Sequence, residues 1–214
     1  MPRPVAQPPA VYLAVAVTDF AQGVRSVEMG LADAFEPLSL ARCAIHVVID
    51  APAAYEAEGQ YVFFVEPFDK GRVLAANQFK LMYEGEPGDR CGFLQWAARC
   101  ATFFQRMLFH IGMVCVDYAD FRTALDACRT KTLRFEYLAY DRYDVVPYLK
   151  HQGPPYRVIY GCLCGEVDTS LQQWLAFSAA VHAHNPALVM DKLALTVGSY
   201  APPVMMLLGE AVVD

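Results

Sequence analysis

Cys115-Val116-Asp117-Tyr118-Ala119-Asp120-Phe121-Arg122-Thr123 sets two carboxylates three residues apart, between the short apolar stretch Met113 to Val116 and a helical pattern from Phe121 to Cys128. Asp120 is a natural N-cap for that helix, because a short side chain with an acceptor oxygen takes up an amide that the first turn leaves unpaired. On the same reading Asp117 is a solvated loop residue. Upstream, Phe93 to Ile111 has helical composition and spacing and is apolar on nearly every side, which predicts a long helix enclosed between layers.

Downstream the order is regular. Leu133 to Tyr140 reads as a strand, Val145 to Lys150 as a short helix and Gly153-Pro154-Pro155 as a turn. Arg157 to Cys164 is a strand, and Thr169 to His184 an amphipathic helix capped by Thr169 or Asp168. Leu193 to Val197 and Val204 to Leu208 close the chain around the turn Ala201-Pro202-Pro203. Strands alternating with helices predict an α/β fold with a mostly parallel or mixed sheet, with the last two strands an antiparallel pair.

Working back toward the start, Gly85-Glu86-Pro87-Gly88-Asp89 is the strongest breaker in the chain and reads as a linker. It separates a partial N-terminal α/β region, residues 11–88, from the central helix and C-terminal α/β domain, residues 89–214. Residues 1–10 carry four prolines and read as an extended arm. Val11 to Val17 is a buried strand, and Thr18-Asp19 offers a cap. Val24, Val27, Leu31 and Phe35 recur at helical spacing, so Phe20 to Phe35 is expected to be a helix ended by Pro37. Ala44 to Ile49, Tyr61 to Val65 and Phe79 to Tyr83 are three more strands, the last two joined through Asp69-Lys70-Gly71.

Composition narrows the function classes. Hydrophobic residues make up 56% and charged residues 19%, against the ordinary ~45–50% and ~25%. That excess suits a chain with a surface kept for a protein partner. The net charge of −6 argues against nucleic acid, whose binding needs basic patches over phosphates. Apolar runs break at Arg106, His110 and Asp117, so none reaches the ~20 residues of a membrane span. Seven cysteines spread through strands and helices read as reduced thiols of an intracellular, cytoplasmic protein.

The motif at Cys115 resembles the Asn-x-Asp-Phe-Ala-Asp loop of the FtsZ/tubulin superfamily in five of its first six letters, with Tyr118 for Phe. In that family the loop reaches across a subunit interface and positions water on the neighbour's GTP. The resemblance implies that Asp117 and Asp120 would do general-base work on that water. Cys115 stands where the family has Asn and lacks its amide. Leu13-Ala14-Val15-Ala16-Val17-Thr18 with Phe20 resembles the family's strand ending in Val-Val-Thr-x-Pro-Phe, and Arg157 to Gly165 its later strand ending in Gly. Residues 51–90 depart from the pattern with an inserted strand pair. No Gly-Gly-Gly-Thr-Gly-Thr-Gly loop occurs in the chain, so the phosphate-cradling backbone of the family is missing. The expectation is an FtsZ/tubulin-like but truncated fold, with no cofactor.

Other candidates are weaker. Cys162-Leu163-Cys164 has the wrong spacing for a structural zinc site and reads as two core thiols facing one side of a strand. His182 and His184 end a helix, where a cation complements the dipole. Pro2 lies in the Pro-rich arm rather than at the start of a strand, which removes it as a catalytic N-terminus. The leading expectation is a protein that does not itself bind GTP, and that binds or regulates a cytoskeletal filament or related subunit, or self-associates. Cys115, Asp117, Tyr118, Asp120 and Arg122 would form the partner-binding face. A structural subunit of a larger assembly is the first alternative. A small-molecule enzyme, with its cleft between residues 1–88 and the rest, is the second. The balance is against catalysis, and no metal site is expected.

Overall fold

The computed structural model describes residues 12–29, 39–109, 112–141, 143, 146, 148, 151–198 and 202–212. The Pro-rich arm, residues 30–35 of the expected first helix with Pro37 that was to end it, most of the short helix at 145–150 and Ala201 lie outside the described residues.

Among the described residues nine strands form one sheet: β1 (Tyr12–Asp19), β2 (Val24–Met29), β3 (Cys43–Ile49), β4 (Tyr61–Glu66), β5 (Gln78–Met82), β6 (Thr132–Ala139), β7 (Tyr156–Gly165), β8 (Met190–Val197) and β9 (Val204–Ala211). Their spatial order is β2-β1-β3-β4-β5-β6-β9-β7-β8. The pairs β1/β3, β3/β4, β4/β5, β5/β6 and β7/β8 are parallel, and β1/β2, β6/β9 and β9/β7 antiparallel. Three α-helices accompany it among the described residues: α1 (Arg90–Phe109), α2 (Tyr118–Ala127) and α3 (Leu171–His184). The breaker Gly85 to Asp89 lies in the connection from β5 to α1. The sheet itself continues through the pairing of Lys80 and Leu81 with Thr132 and Leu133.

The helix expected from Phe20 is instead a turn over residues 20–23 followed by β2. Asp19 Oδ1 accepts from the amides of Ala21 and Gln22 at 2.8 and 3.0 Å, so this carboxylate closes a turn rather than capping a helix. Gly23 follows with φ +68°, a left-handed conformation that glycine adopts without penalty. The chain reverses, and β2 pairs with β1 from Asp19↔Val24 to Ala14↔Met29. Val24 and Val27 stay exposed, so their helical spacing reflects no buried stripe.

The closing strands also differ from expectation. β8 and β9 do not pair with each other; β9 inserts between β6 and β7. Its first seven residues are buried, as suits a strand covered on both faces. The half-buried start of β8 takes the edge. At α3 the cap is Ser170, not Thr169 or Asp168. The Ser170 and Gln173 side chains each accept the other's backbone amide, at 3.3 and 2.9 Å, the reciprocal arrangement of a capping box.

One face of the sheet carries α1 and α2 across both halves. Val15, Val47, Phe63, Leu81, Phe135 and Met206 share a core with Phe93, Cys100, Phe104 and Phe121. Burial of α1 is one-sided. Phe93, Ala97, Cys100, Phe103 and Phe104 point to the sheet, while Cys91, Gln95, Ala98 and Arg99 are exposed. The predicted all-round enclosure therefore reduces to one apolar face. The other face of β7, β8 and β9 packs on α3 through Ile159, Leu163, Leu195, Phe177 and Val181.

Candidate functional site at the start of the second helix

α2 begins where the chain leaves α1, and three contacts fix that point. Val114 bridges β8 through two hydrogen bonds with Leu195, at 3.3 and 3.1 Å. A Cβ on Gly112 would stand 2.2 Å from the Leu195 carbonyl oxygen, so the close approach needs glycine. Tyr160 on β7 donates its hydroxyl to the Val116 carbonyl at 3.3 Å. From the other side, the Tyr118 hydroxyl donates to Gln60 Oε1 at 2.9 Å and to the Ala44 carbonyl at 3.3 Å. Beneath them Phe121, fully buried, packs edge-on to Tyr160 with centroids 5.3 Å apart and touches Phe63 and Phe104.

The carboxylates exchange the roles expected of them. Asp117 is the N-cap, and Asp120 is the third residue of the helix. Asp117 Oδ1 accepts from the Asp120 amide at 2.9 Å, and Asp120 Oδ2 accepts from the Asp117 amide at 3.3 Å. This is a capping box. Asp120 Oδ1 also pairs with Lys192 of β8 at 2.6 Å. The Lys192 ammonium is the largest influence on Asp120 and holds its carboxyl below the ordinary carboxylate range. Lys192 is raised in turn.

Both oxygens of Asp120 are therefore committed, one to an amide and one to an ammonium. A carboxylate held so is a weak proton acceptor, the opposite of a general base tuned toward neutral pH.

The remaining expected residues divide. Cys115 is exposed, with its thiol donating to the Gly112 carbonyl at 3.0 Å. Arg122 is on the surface and bonds to the Tyr61 hydroxyl. Tyr118 is turned inward and half-buried; burial raises its phenol well above the ordinary tyrosine value. It fastens α2 to β3 and the loop before β4. Met113, 60% exposed, sits beside Cys115 and adds an apolar element to the face. Lys192 and Tyr160 belong to the site and were not singled out from sequence. They reach it from 72 and 44 residues away, a separation without a local signal.

The other candidates are occupied by the fold. His182 and His184 each use Nδ1 on the carbonyl four residues earlier, both at 2.8 Å. Cys162 and Cys164 are buried side by side with their sulfurs 3.4 Å apart. Among the described residues no three metal-ligating side chains stand together. A separate depression of about 440 Å³ lies at the carboxyl ends of β4 and β5 and the start of α1, lined by Phe68, Met82, Tyr83, Glu86, Asp89 and Phe93. There Asp89 accepts from the Gly92 amide at 2.9 Å and from the Tyr83 hydroxyl at 3.1 Å, so its carboxylate already serves the helix N-terminus.

No protein-family model matches the chain, and no curated protein matches it in sequence. Its fold is similar to that of CetZ from Methanosaeta thermophila strain DSM 6194, with TM-score 0.50 and 7% identity, covering 79% of this chain and 52% of that one. An FtsZ mutant from M. jannaschii aligns with TM-score 0.48 and 11% identity, covering 79% of this chain and 56% of that one. The fold is α/β and of the FtsZ/tubulin type. The chain spans about half the length of these solved structures.

Proposed function

We propose that the chain is an FtsZ/tubulin-like assembly component that docks on a related, nucleotide-holding subunit through the face at the start of α2, without binding GTP itself. One observation supports the reading: Asp117 and Ala119 face solvent, yet the two carboxylates of the loop take part in a capping box and an ion pair. Such a loop is a contact surface rather than an acid–base centre. Exposed Met113 and Cys115 stand beside the charged Asp117 and Arg122, a mixture suited to a partner that is not permanently bound. The 214 residues contain no Gly-rich phosphate loop, which supports the absence of intrinsic GTP binding. Adding to one end of a filament through this face would cap or regulate it.

The test has two parts. Equilibrium dialysis of the purified chain with GTP is expected to show no binding; tight binding overturns the proposal. Cosedimentation with polymerised subunits of FtsZ/tubulin type is expected for the wild type and reduced at least tenfold by Arg122→Glu. Equal cosedimentation of the two proteins overturns the docking face.

A second reading rests on the depression beside α1. Its volume of about 440 Å³ falls within the ~300–1,000 Å³ of small-molecule sites. It also lies at the carboxyl edge of parallel strands, where ligands of open α/β sheets bind. A thermal shift with a small-molecule panel, abolished by Tyr83→Ala and not by Arg122→Glu, would favour it.

A further inference from the structure

The depression beside α1 has walls of two kinds. Phe68, Tyr83 and Phe93 make it mostly apolar; three carboxylates, Asp69, Glu86 and Asp89, and one guanidinium, Arg90, bring the charge. The Tyr83 ring is seated against glycines. A Cβ on Gly85 would stand 2.2 Å from it, and one on Gly92 2.3 Å from its hydroxyl. Tyr83 and Phe93 meet at 69° with centroids 5.9 Å apart. Aromatic faces are negative and attract cations. Two rings here already do so: Lys70 Nζ lies 5.7 Å from the Phe68 centroid, and Arg90 Cζ 5.6 Å from that of Phe93. Tyr83 has no such partner among the described residues.

The cations of the rim are each paired. Lys70 and Arg90 both bond to Asp50, at 2.7 and 2.5 Å, and Lys80 bonds to Asp69 at 2.8 Å. Asp89 has only amide and hydroxyl partners among the described residues, and Glu86 forms no ion pair among them. Two carboxylates of the wall therefore keep a charge that no side-chain cation bonds to. The Gly92 amide at the head of α1, a group that elsewhere receives anions, is already taken by Asp89.

The geometry points to a site for a small organic cation, an aromatic or other apolar body carrying one ammonium group. The inference rests on the second reading above, in which this depression takes a small molecule, and adds the charge that molecule bears. The body fills the apolar part of the depression, and the ammonium is directed to the Tyr83 ring and Glu86. A phosphate or carboxylate in its place would face three carboxylates, and like charges held close repel.

Calorimetry of the full chain with three matched probes tests it: phenethylammonium, phenethyl alcohol and hydrocinnamate, which share a phenylalkyl body and differ in charge. The expected result is one phenethylammonium per chain, held at least tenfold more tightly than the alcohol, with no binding of hydrocinnamate. Tyr83→Ala should weaken it at least tenfold and Glu86→Gln at least threefold, while Arg122→Glu, on the docking face, should bind as the wild type does. Alcohol or hydrocinnamate bound as tightly as the ammonium overturns the inference and leaves the small-molecule reading standing. Absence of binding by all three probes also overturns the inference; the small-molecule reading falls only if its wider panel gives no shift either. Tyr83 packs on Phe93 and Trp96. If Tyr83→Ala does not fold, Glu86→Gln, exposed in the connection before α1, decides, and wild-type affinity there overturns the inference.

Discussion

Replacing Asp117 separates its capping role from any chemical one. The Asp117 carboxylate accepts one amide bond at 2.9 Å, and the return bond from Asp120 is longer, at 3.3 Å. Asp117 is exposed, so no burial energy is at stake. Asp117→Ala should then cost about 1 kcal/mol, the usual loss on removing an N-cap. For a chain of this length that is a fall in Tm of roughly 2–4 °C. Asn caps as well as Asp, so Asp117→Asn should lose only the charge–dipole part, about 0.3–1 kcal/mol at low salt and screened at high salt. Thermal denaturation followed by circular dichroism, at low and high ionic strength, measures both. If Asp117→Asn is as unstable as Asp117→Ala at high salt, or if Ala costs nothing, the capping box does not stabilise α2 and the reasoning fails.

Phe121→Ala should cost about 3–5 kcal/mol in urea denaturation, because the ring is fully buried between Phe63, Phe104 and Tyr160. Gly112→Ala drives a Cβ onto the Leu195 carbonyl and should cost about 1–3 kcal/mol, with faster amide exchange at Val114 and Leu195. Glu210→Gln removes the partner of Arg157, bonded at 2.6 Å. Because Arg157 keeps some exposure, the loss should be about 2–3 kcal/mol, at or below that of a fully buried pair. Burial alone would push Glu210 and Glu136 up, but Arg157 with the Thr130 and Arg129 amides holds Glu210 down, and His151 with Tyr156 holds Glu136 down. Lys192 does the same for Asp120. All three carboxyls are therefore more acidic folded than unfolded. Their contribution is complete above the ordinary carboxylate values near pH ~4 and is lost as pH falls through the lower folded values. Urea midpoints should drop steadily below pH ~4, and less steeply in Glu210→Gln.

The strands that bury both faces were legible because their apolar runs are continuous: Ala44 to Ile49 and Arg157 to Cys164 lie within β3 and β7. α1 was legible from its composition, and the fold type from the nine residues at Cys115. The error at Phe20 came from reading Val24 and Val27 as a helical stripe, when Asp19 and Gly23 fold the chain back at the sheet edge. β9's place between β6 and β7 depends on which strand is buried on both faces, a property of the assembled sheet. At the candidate site the Asp-x-x-Asp spacing was visible, but the order of roles was not. It turns on whether α2 starts at Tyr118 or Phe121, and the Tyr118 hydroxyl, anchored on Gln60 and the Ala44 carbonyl, draws that residue into the helix. Lys192, which decides the charge state of Asp120, reaches it only through tertiary structure.

Photo-crosslinking tests the docking account most directly. A photoreactive residue replaces Ala119, exposed in the first turn of α2, or Val73, 93% exposed in the connection between β4 and β5. Each variant is irradiated with polymerised FtsZ/tubulin-type subunits. Docking through the start of α2 predicts adducts from position 119 and none from position 73. Adducts from position 73 alone, or equal yields from both, would contradict it.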